Sequence, residues 1–549
     1  MTTTPSFLER SPVELKFGTS GLRGLVGDMT DLEVFINTQG FLRYLKRTGQ
    51  IDETATVAVG RDLRDKDPKT GMSSSPRIAG TVIAAIRDAG YSAVDCGQLP
   101  TPALAAFAMA KGRPAIMVTG SHIPADRNGM KFYRTSGEIL KSDEAPIFES
   151  VAEVRAELYA QDEQTTRFNK KGMLKVPATL STPDPEATEL YINRYRAPFA
   201  DRRPLAGQRI VVYEHSAAAR DLLINILKSL GAEVISVGRS DTFISVDTED
   251  VSTDDETLYR NYVQAHEASA LVSTDGDGDR PLIVDERGRF HRGDAVGLLC
   301  ALRLNARFAA VPVSATDAIE RHNAPELTIV RTRIGSPYVI DAMNEAVRQK
   351  IDTVVGWEAN GGFLTGTRFE LNGHTLAALP TRDAMLPILT VLIAAAEQNI
   401  PVSSLFAQLP QRATRAGLID DFCTDRGRAL LAHLSIESAT HTISFSPVQI
   451  GDNPALDLEP LRQRIQRWIG DPLGLGPIVS MNVVDGLRMT FATGEIVHLR
   501  PSGNAPQFRI YAVADTPSRA DALIEQAISE PDGIVRKMET ELQNSGHLA

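Results

Sequence analysis

Ser273-Thr-Asp-Gly-Asp-Gly-Asp-Arg280 sets three carboxylates, Asp275, Asp277 and Asp279, at alternate positions with glycines between them. Alternate side chains of an extended segment point to one side, so the three converge and repel one another unless a cation joins them. Oxygen ligands of this kind suit a hard ion such as Mg²⁺. A calcium EF-hand loop competes for the pattern, because Glu286 falls at the twelfth position. Against it, Arg280 stands where that loop needs glycine, and Pro281 follows. The flanks Ala270-Leu-Val272 and Leu282-Ile-Val284 read as strands, not helices. A solvated acidic turn is the plain alternative.

A second stretch, Val118-Thr-Gly-Ser-His-Ile-Pro124, follows an apolar strand and delivers Ser121 into a loop punctuated by Gly120 and Pro124. A serine at a strand's carboxyl end can serve as a nucleophile or phosphate carrier. Taken alone it can equally be a turn serine. Gly-x-Ser-x-Gly is absent, so this is no hydrolase elbow. His122 is a poor base for Ser121 if the chain is extended, since neighbouring side chains then diverge. Asn128-Gly129 reads as a hairpin turn, with Lys131 just beyond it.

Three Gly-rich loops complete the set. Gly18-Thr-Ser-Gly-Leu-Arg-Gly24 groups hydroxyls, flexible backbone and Arg23 as an anion site does, without matching a P-loop. Arg500-Pro-Ser-Gly-Asn504 puts a guanidinium beside the Ser502 hydroxyl, the Gly503 backbone and the Asn504 amide, which is a phosphate clamp or simply a good β-turn. Gly356-Trp-Glu-Ala-Asn-Gly361 ends a strand with Glu358 and Asn360, a carboxylate and an amide able to bracket sugar hydroxyls, or a turn with a solvated Glu.

Strands alternating with helices must carry these loops. The segment 55–60 reads as a buried strand, followed by a helix over 75–88 that opens on Ser-Pro and aligns Ile78, Val82, Ile83 and Ile86 on one face. Related units run from 209–213 through a helix over 218–230 to 231–237, and from the strand 308–313 onward. Three such units imply an α/β protein of quasi-repeated domains. The C-terminal part differs: 478–484, 487–491, 496–499 and 508–513 read as an antiparallel sheet, with a helix over 518–528 on one face. Polar, Pro-rich breaks fall at 161–188, 304–307 and 409–421.

The 549 residues suffice for three or four domains. Lys+Arg of 58 against Asp+Glu of 69 gives a net charge of −11, which argues against nucleic acid or an anionic membrane as the main partner. Hydrophobic content of 42% excludes wholesale disorder, and the apolar run 386–396 is too short to span a bilayer. No signal peptide is visible. Cys96, Cys300 and Cys423 form no Cys-x-x-Cys, so a reducing cytoplasm is the expected setting. An acidic multidomain enzyme and an acidic scaffold both fit these bounds.

In this order the five loops resemble one family, the α-D-phosphohexomutases, which include phosphomannomutase and phosphoglucomutase. The matching residues are Phe17-Gly-Thr-Ser-Gly-Leu-Arg-Gly24, Thr119-Gly-Ser-His-Ile-Pro124 with Asn128-Gly-Met-Lys131, Asp275-Gly-Asp-Gly-Asp-Arg280, Gly356-Trp-Glu-Ala-Asn-Gly361 and Arg500-Pro-Ser-Gly-Asn504. They stretch over nearly the whole chain. The resemblance implies four domains, placed at 1–165, 189–303, 304–412 and 422–549, whose loops meet in a central cleft. It implies that Ser121 is phosphorylated and joins Asp275, Asp277 and Asp279 around Mg²⁺. Arg23, His122, Lys131 and Arg280 then line the reacting end, with Arg23 or Lys131 as acid/base. Glu358, Asn360 and Gly361 hold the sugar, and Arg500, Ser502, Gly503, Asn504 and Arg509 the distal phosphate.

The implied reaction interconverts hexose 6- and 1-phosphates through a hexose 1,6-bisphosphate. Mannose phosphate is the expected substrate and glucose phosphates the alternative. A non-catalytic sugar-phosphate-binding relative has no reason to keep both serine and carboxylates, and a metal-dependent phosphatase needs neither Ser121 nor the distal clamp. The chain departs from the family pattern in Ile123, where Asn is usual, in an added Trp357, and in Asn504-Ala505 where Thr-Glu is frequent. Further departures are apparent extra loops near 62–74 and 239–254.

Overall fold

A computed structural model describes residues 7–9, 11–18, 21–199, 202–249, 251–322, 324–435, 442–444, 458–502 and 506–544. The chain folds into two compact units. One comprises Met1–Ala310, Glu326–Thr328 and Gly335–Phe406, the other Val311–Pro325, Ile329–Ile334 and Ala407–Ala549.

The first unit opens on a seven-stranded mixed sheet. Its centre is Thr56–Arg61, parallel to Ser92–Gln98 on one side and to Ala115–Val118 on the other. Outward from there the ladder turns antiparallel, through Arg127–Arg134 and Leu22–Leu25 to Lys16–Phe17. The predicted helix Ser75–Asp88 forms with Pro76 in its first turn, where a missing N–H costs nothing. Ile78, Val82, Ile83 and Ile86 all lie in the core beneath it, and Gly90, at φ 86°, lets the chain turn back. Asp31–Arg47 begins under a Thr30 cap whose hydroxyl accepts from the Glu33 N–H at 3.3 Å.

The next sheet has four strands in the order Pro281–Asp285, Ala270–Thr274, Arg209–Tyr213, Glu233–Val237. Two of its pairings are parallel and follow the βαβ reading, with helix Arg220–Ser229 as the crossover from Arg209–Tyr213 to Glu233–Val237, and Pro281–Asp285 returns antiparallel. A third α/β segment pairs Phe308–Pro312 parallel with Val354–Trp357, which continues antiparallel to Phe363–Thr365 and then Leu379–Asp383. Among the described residues no helix is long and apolar enough to cross a membrane, and the run 386–396 lies in the buried helix Met385–Gln398. The three cysteines are unpaired.

The second unit contains the expected antiparallel sheet. Six strands run in the order Ala413–Ile419, Phe508–Ala514, Ile496–Pro501, Leu487–Phe491, Ile478–Asn482, Thr442–Ser444. Helix Pro517–Ile528 packs Leu523, Ile524 and Ala527 into its core.

Four expectations are corrected. The stretch 409–421, read as a boundary, supplies an edge strand that pairs along its whole length with Phe508–Ala514, so the C-terminal sheet begins before residue 422. Asn128-Gly129 is no turn: both residues sit inside the strand Arg127–Arg134, opposite Gly24 and Arg23. A Cβ on Gly129 would lie 2.4 Å from the Leu22 carbonyl oxygen, so the glycine serves close strand approach. The acidic segment is not extended, since Thr274 pairs with Pro281 and the residues between form a tight hairpin loop. The segments 62–74 and 239–254 are not peripheral additions, because residues of both pack against the serine loop.

Candidate active site

Three neighbouring strands of the first sheet, Thr56–Arg61, Ser92–Gln98 and Ala115–Val118, run parallel and end on the same side. Their carboxyl ends lead to Asp62, Thr101 and Ser121, the arrangement by which parallel sheets gather a site. Ser121 is buried and has φ 55°, a left-handed backbone uncommon for a residue with a side chain. Its N–H donates to Thr119 Oγ1 at 2.8 Å, and its hydroxyl donates to Asp275 Oδ2 at 2.7 Å. Because the chain is not extended here, His122 does not diverge: its Nδ1 stands 3.3 Å from Ser121 Oγ.

The hairpin loop after Ala270–Thr274 closes on itself. Asp275 Oδ1 accepts the N–H groups of Asp279 and Arg280 at 3.1 and 3.2 Å, and Gly278 at φ 75° makes the turn. This wrapping brings the three carboxylates together, with one oxygen from each within 4.8 Å of the others. Asp277 Oδ2 accepts from Thr101 Oγ1 at 2.6 Å and from Lys131 Nζ at 2.7 Å. Asp279 Oδ2 accepts from Lys131 Nζ at 2.7 Å and from Arg382 NH2 at 2.8 Å. The remaining oxygens, Asp277 Oδ1 and Asp279 Oδ1, are buried and accept no hydrogen bond among the described residues. Buried carboxylate oxygens are rarely left so, and here two of them belong to the same triad whose third member bonds Ser121. The donor set, three carboxylates and a hydroxyl, fits a hard cation.

The charges explain one another. Burial opposes ionisation of Asp279, but Arg382, Lys131 and Arg280 outweigh it and hold the carboxyl well below the usual range. Burial and the Asp279 charge likewise push Asp277 up, and Lys131 more than reverses the effect. Asp275 lacks such a close cation, so burial and its two neighbours drive its carboxyl well up. Burial, then Arg280 and Arg23, push the His122 imidazole down to about 2, so it is held neutral. Burial together with Arg280 and Arg382 brings Arg23 down to about 10. Three guanidiniums that repel one another in a confined space form a field suited to a multiply charged anion.

The loop carrying Glu358, Asn360 and Gly361 follows Val354–Trp357. Glu358 is buried and its Oε2 accepts from Arg382 NH1 at 2.8 Å. Arg382 therefore joins Glu358 to Asp279. Asn360 Oδ1 accepts from the Gly362 N–H at 3.0 Å, and the Asn360 carbonyl accepts from Thr248 Oγ1 at 2.8 Å. Gly361 has φ 88°, and a Cβ there would sit 2.8 Å from the Pro281 ring. The added Trp357 does not face the loop's polar groups. It is fully buried, stacked on Phe363 and seated against Gly297, where any Cβ would meet the indole at 2.3 Å.

In the second unit Arg500 and Arg509 face each other in register on adjacent strands. Arg500 Nε donates to Asp485 Oδ1 at 2.9 Å, and the Ser502 N–H donates to the Gln507 carbonyl at 2.8 Å. Gly503 and Asn504 lie outside the described residues.

Ser121, His122, Lys131, Arg280, Asp275, Asp277, Asp279 and Glu358 thus converge within the first unit, with Arg23 close enough to be shifted by Arg280 and Arg382. Sequence reasoning missed Arg64, Thr101, Thr248 and Arg382. Arg382 and Asp383 do carry a signal, as a charged pair set in an apolar stretch at a strand–helix junction. Thr101, an ordinary helix-starting threonine, carries none.

Family models for phosphoglucomutase/phosphomannomutase match three segments: alpha/beta/alpha domain I at residues 14–157, domain II at 189–288 and domain III at 292–413. The chain is 40% identical over 515 residues to a phosphomannomutase of Sinorhizobium fredii, covering 94% of this chain and 98% of that protein. It is 39% identical to a phosphomannomutase of Salmonella muenchen, covering 94% and 95%. Among solved structures, a phosphoglucomutase/phosphomannomutase family protein of Burkholderia thailandensis superposes with a TM-score of 0.65 at 17% identity, over 96% of this chain and 97% of that one. Parafusin, a phosphoglucomutase of Paramecium, does so at 0.61 and 13% identity, over 97% and 96%. The carboxylate–serine geometry and these matches agree, and the chain belongs to the phosphoglucomutase/phosphomannomutase family of isomerases, the intramolecular phosphotransferases.

Proposed function

We propose that this enzyme is a phosphomannomutase, interconverting mannose 6-phosphate and mannose 1-phosphate through a phosphorylated Ser121 and a hexose 1,6-bisphosphate. The observation that carries the reading is Ser121 Oγ bonded at 2.7 Å to Asp275, beside two buried carboxylate oxygens that accept no hydrogen bond among the described residues. The choice of sugar rests on the two relatives near 40% identity, both named phosphomannomutase.

Asp275, Asp277, Asp279 and Ser121 would hold Mg²⁺. When bound, the ion offsets negative charge on the phosphoryl group in transit. Lys131 occupies the outer oxygens of Asp277 and Asp279 and keeps both ionised for the ion. Its ammonium pKa is raised despite burial because of those two carboxylates, so Lys131 is a poor base and serves as a fixed charge. Neutral His122 stands 3.3 Å from Ser121 Oγ but is too weak a base to draw a proton, so the proton of the attacking sugar hydroxyl passes to Ser121 Oγ as its phosphoryl group departs. The phosphoryl group leaves Ser121 Oγ for that hydroxyl oxygen, giving the bisphosphate. After the sugar reorients, its other phosphoryl group returns to Ser121, and the proton goes back to the hydroxyl released. Arg23, Arg280 and Arg382 supply the positive field for the reacting phosphate. Glu358 and the Asn360 amide Nδ2 hold sugar hydroxyls, and Gly361 lets the loop close against Pro281. Arg500, Ser502, Gly503, Asn504 and Arg509 would hold the distal phosphate.

The test supplies Mg²⁺, a trace of hexose 1,6-bisphosphate and either mannose 1-phosphate or glucose 1-phosphate. We expect conversion of both and a higher kcat/KM for mannose. Conversion of glucose 1-phosphate alone would contradict the sugar assignment, and conversion of neither would sink the mutase reading.

A further inference from the structure

Arg64 lies in a segment that sequence reading set aside as an added loop, yet its side chain is completely buried under the serine loop. All five of its guanidinium N–H donors have acceptors in reach. Nε donates to Asp62 Oδ2 at 3.1 Å, and NH1 donates to the carbonyls of Pro124 and Arg127 at 2.9 and 3.3 Å. NH2 donates to the carbonyls of Ser121 and Ile123 at 2.9 and 2.6 Å. Asp62 works the same loop from its other end, accepting from Thr119 Oγ1 at 2.9 Å and from the Gly120 N–H at 3.2 Å. Gly120 is glycine because a Cβ would fall 2.7 Å from the guanidinium carbon.

The opposite face of the guanidinium is covered by Phe243, whose ring centre is 3.7 Å from Cζ. Phe243 belongs to the other segment read as an addition. It is wedged against the metal loop, since a Cβ on Gly276 would meet its ring at 2.9 Å and the Ser121 carbonyl oxygen at 2.5 Å. Arg64 and Phe243 thus fill the space between the serine loop and the carboxylate hairpin.

We propose that Arg64, backed by Phe243, is a positioning residue: it holds Ser121 in its left-handed backbone conformation and so fixes Oγ at bonding distance from Asp275. The planar fork matters, because one side chain must satisfy four carbonyls in fixed directions, which an ammonium with three donors cannot do. Displacing the nucleophile by a fraction of an ångström lowers turnover while the sugar and phosphate contacts stay in place.

This inference rests on the mutase reading, and the test separates the two. Arg64→Lys is compared with Arg155→Lys, which loosens another buried ion pair of the same sheet domain, to Glu33, away from the serine loop. We expect Arg64→Lys to lower kcat about 10- to 100-fold with KM changed less than about threefold. Arg155→Lys should lower Tm comparably and keep kcat within about twofold. Amide hydrogen exchange at 119–127 should quicken in Arg64→Lys and not in Arg155→Lys. Equal kcat losses in the two variants, or unchanged exchange at 119–127, overturn the inference. Should Arg64→Lys fail to fold, Phe243→Leu decides: it keeps all five hydrogen bonds, and we expect a several-fold fall in kcat at constant KM, so an unchanged kcat overturns the proposal. A wild-type chain that turns over neither sugar phosphate defeats the mutase reading, while the exchange measurement still judges the clamp.

Discussion

Arg382 shows what a single side chain carries here. Its guanidinium bonds both Asp279 and Glu358, so it ties a carboxylate of the acidic triad to the carboxylate proposed to hold the sugar. Arg382→Met leaves two buried carboxylates short of a partner, and removing one member of such a pair costs several kcal/mol in local terms. We expect kcat/KM to fall at least about 100-fold and Arg382→Lys to recover part of it; kinetics within twofold of wild type would contradict the role. The motif residues were legible in the sequence because alternation, glycine and charge announce them. Arg382 and Thr101 were less so, because their partners lie far along the chain and only folding joins them. Trp357 drew attention as a change beside the sugar and is instead a core residue, since its ring needs the space that Gly297 leaves open.

At the scale of elements, strand and helix patterns predicted most of what positions the site. The helix Ser75–Asp88 and the strands Arg209–Tyr213 and Leu487–Phe491 follow directly from their apolar spacing. The misreadings have physical causes. Asn-Gly is a strong local turn signal, but Asn128 is buried with its amide donating to Ser74 and Ser75, and that tertiary demand keeps it in a strand. Ala413–Ile419 follows a Pro-rich stretch and has mixed burial, as an edge strand with one wet face must. Gly129→Ala tests the close approach. A methyl 2.4 Å from a carbonyl oxygen cannot be accommodated without moving the strand that carries Arg23. We expect a loss of about 2 to 4 kcal/mol in urea unfolding, with reduced kcat. A change under about 0.5 kcal/mol would contradict the close approach of the two strands.

Over the whole molecule, a net charge of −11 conceals a local reversal, because Arg23, Lys131, Arg280 and Arg382 crowd around the Ser121 site. Each unit also buries a neutral histidine. Burial pushes His215 in the first unit and His498 in the second down to about 4. The unfolded chain takes up these protons near pH 6.5 and the folded chain only near 4, so stability is full above about 6.5 and falls as pH drops toward 4. The linkage is worth up to about 3 kcal/mol per histidine. We expect the urea midpoint to fall across that window and His498→Gln to flatten its dependence on pH; a slope unchanged by the substitution would contradict the assignment.

The central claim is that the chain isomerises by passing a phosphoryl group through Ser121. The most direct measurement is single-turnover transfer from hexose 1,6-bisphosphate labelled with ³²P to the dephosphorylated protein, followed by chase with unlabelled mannose 1-phosphate. The account predicts label on the protein that requires Mg²⁺, is absent from Ser121→Ala, and leaves on the sugar during the chase. Label that persists in Ser121→Ala, or that ends as inorganic phosphate at the rate of turnover, would contradict it.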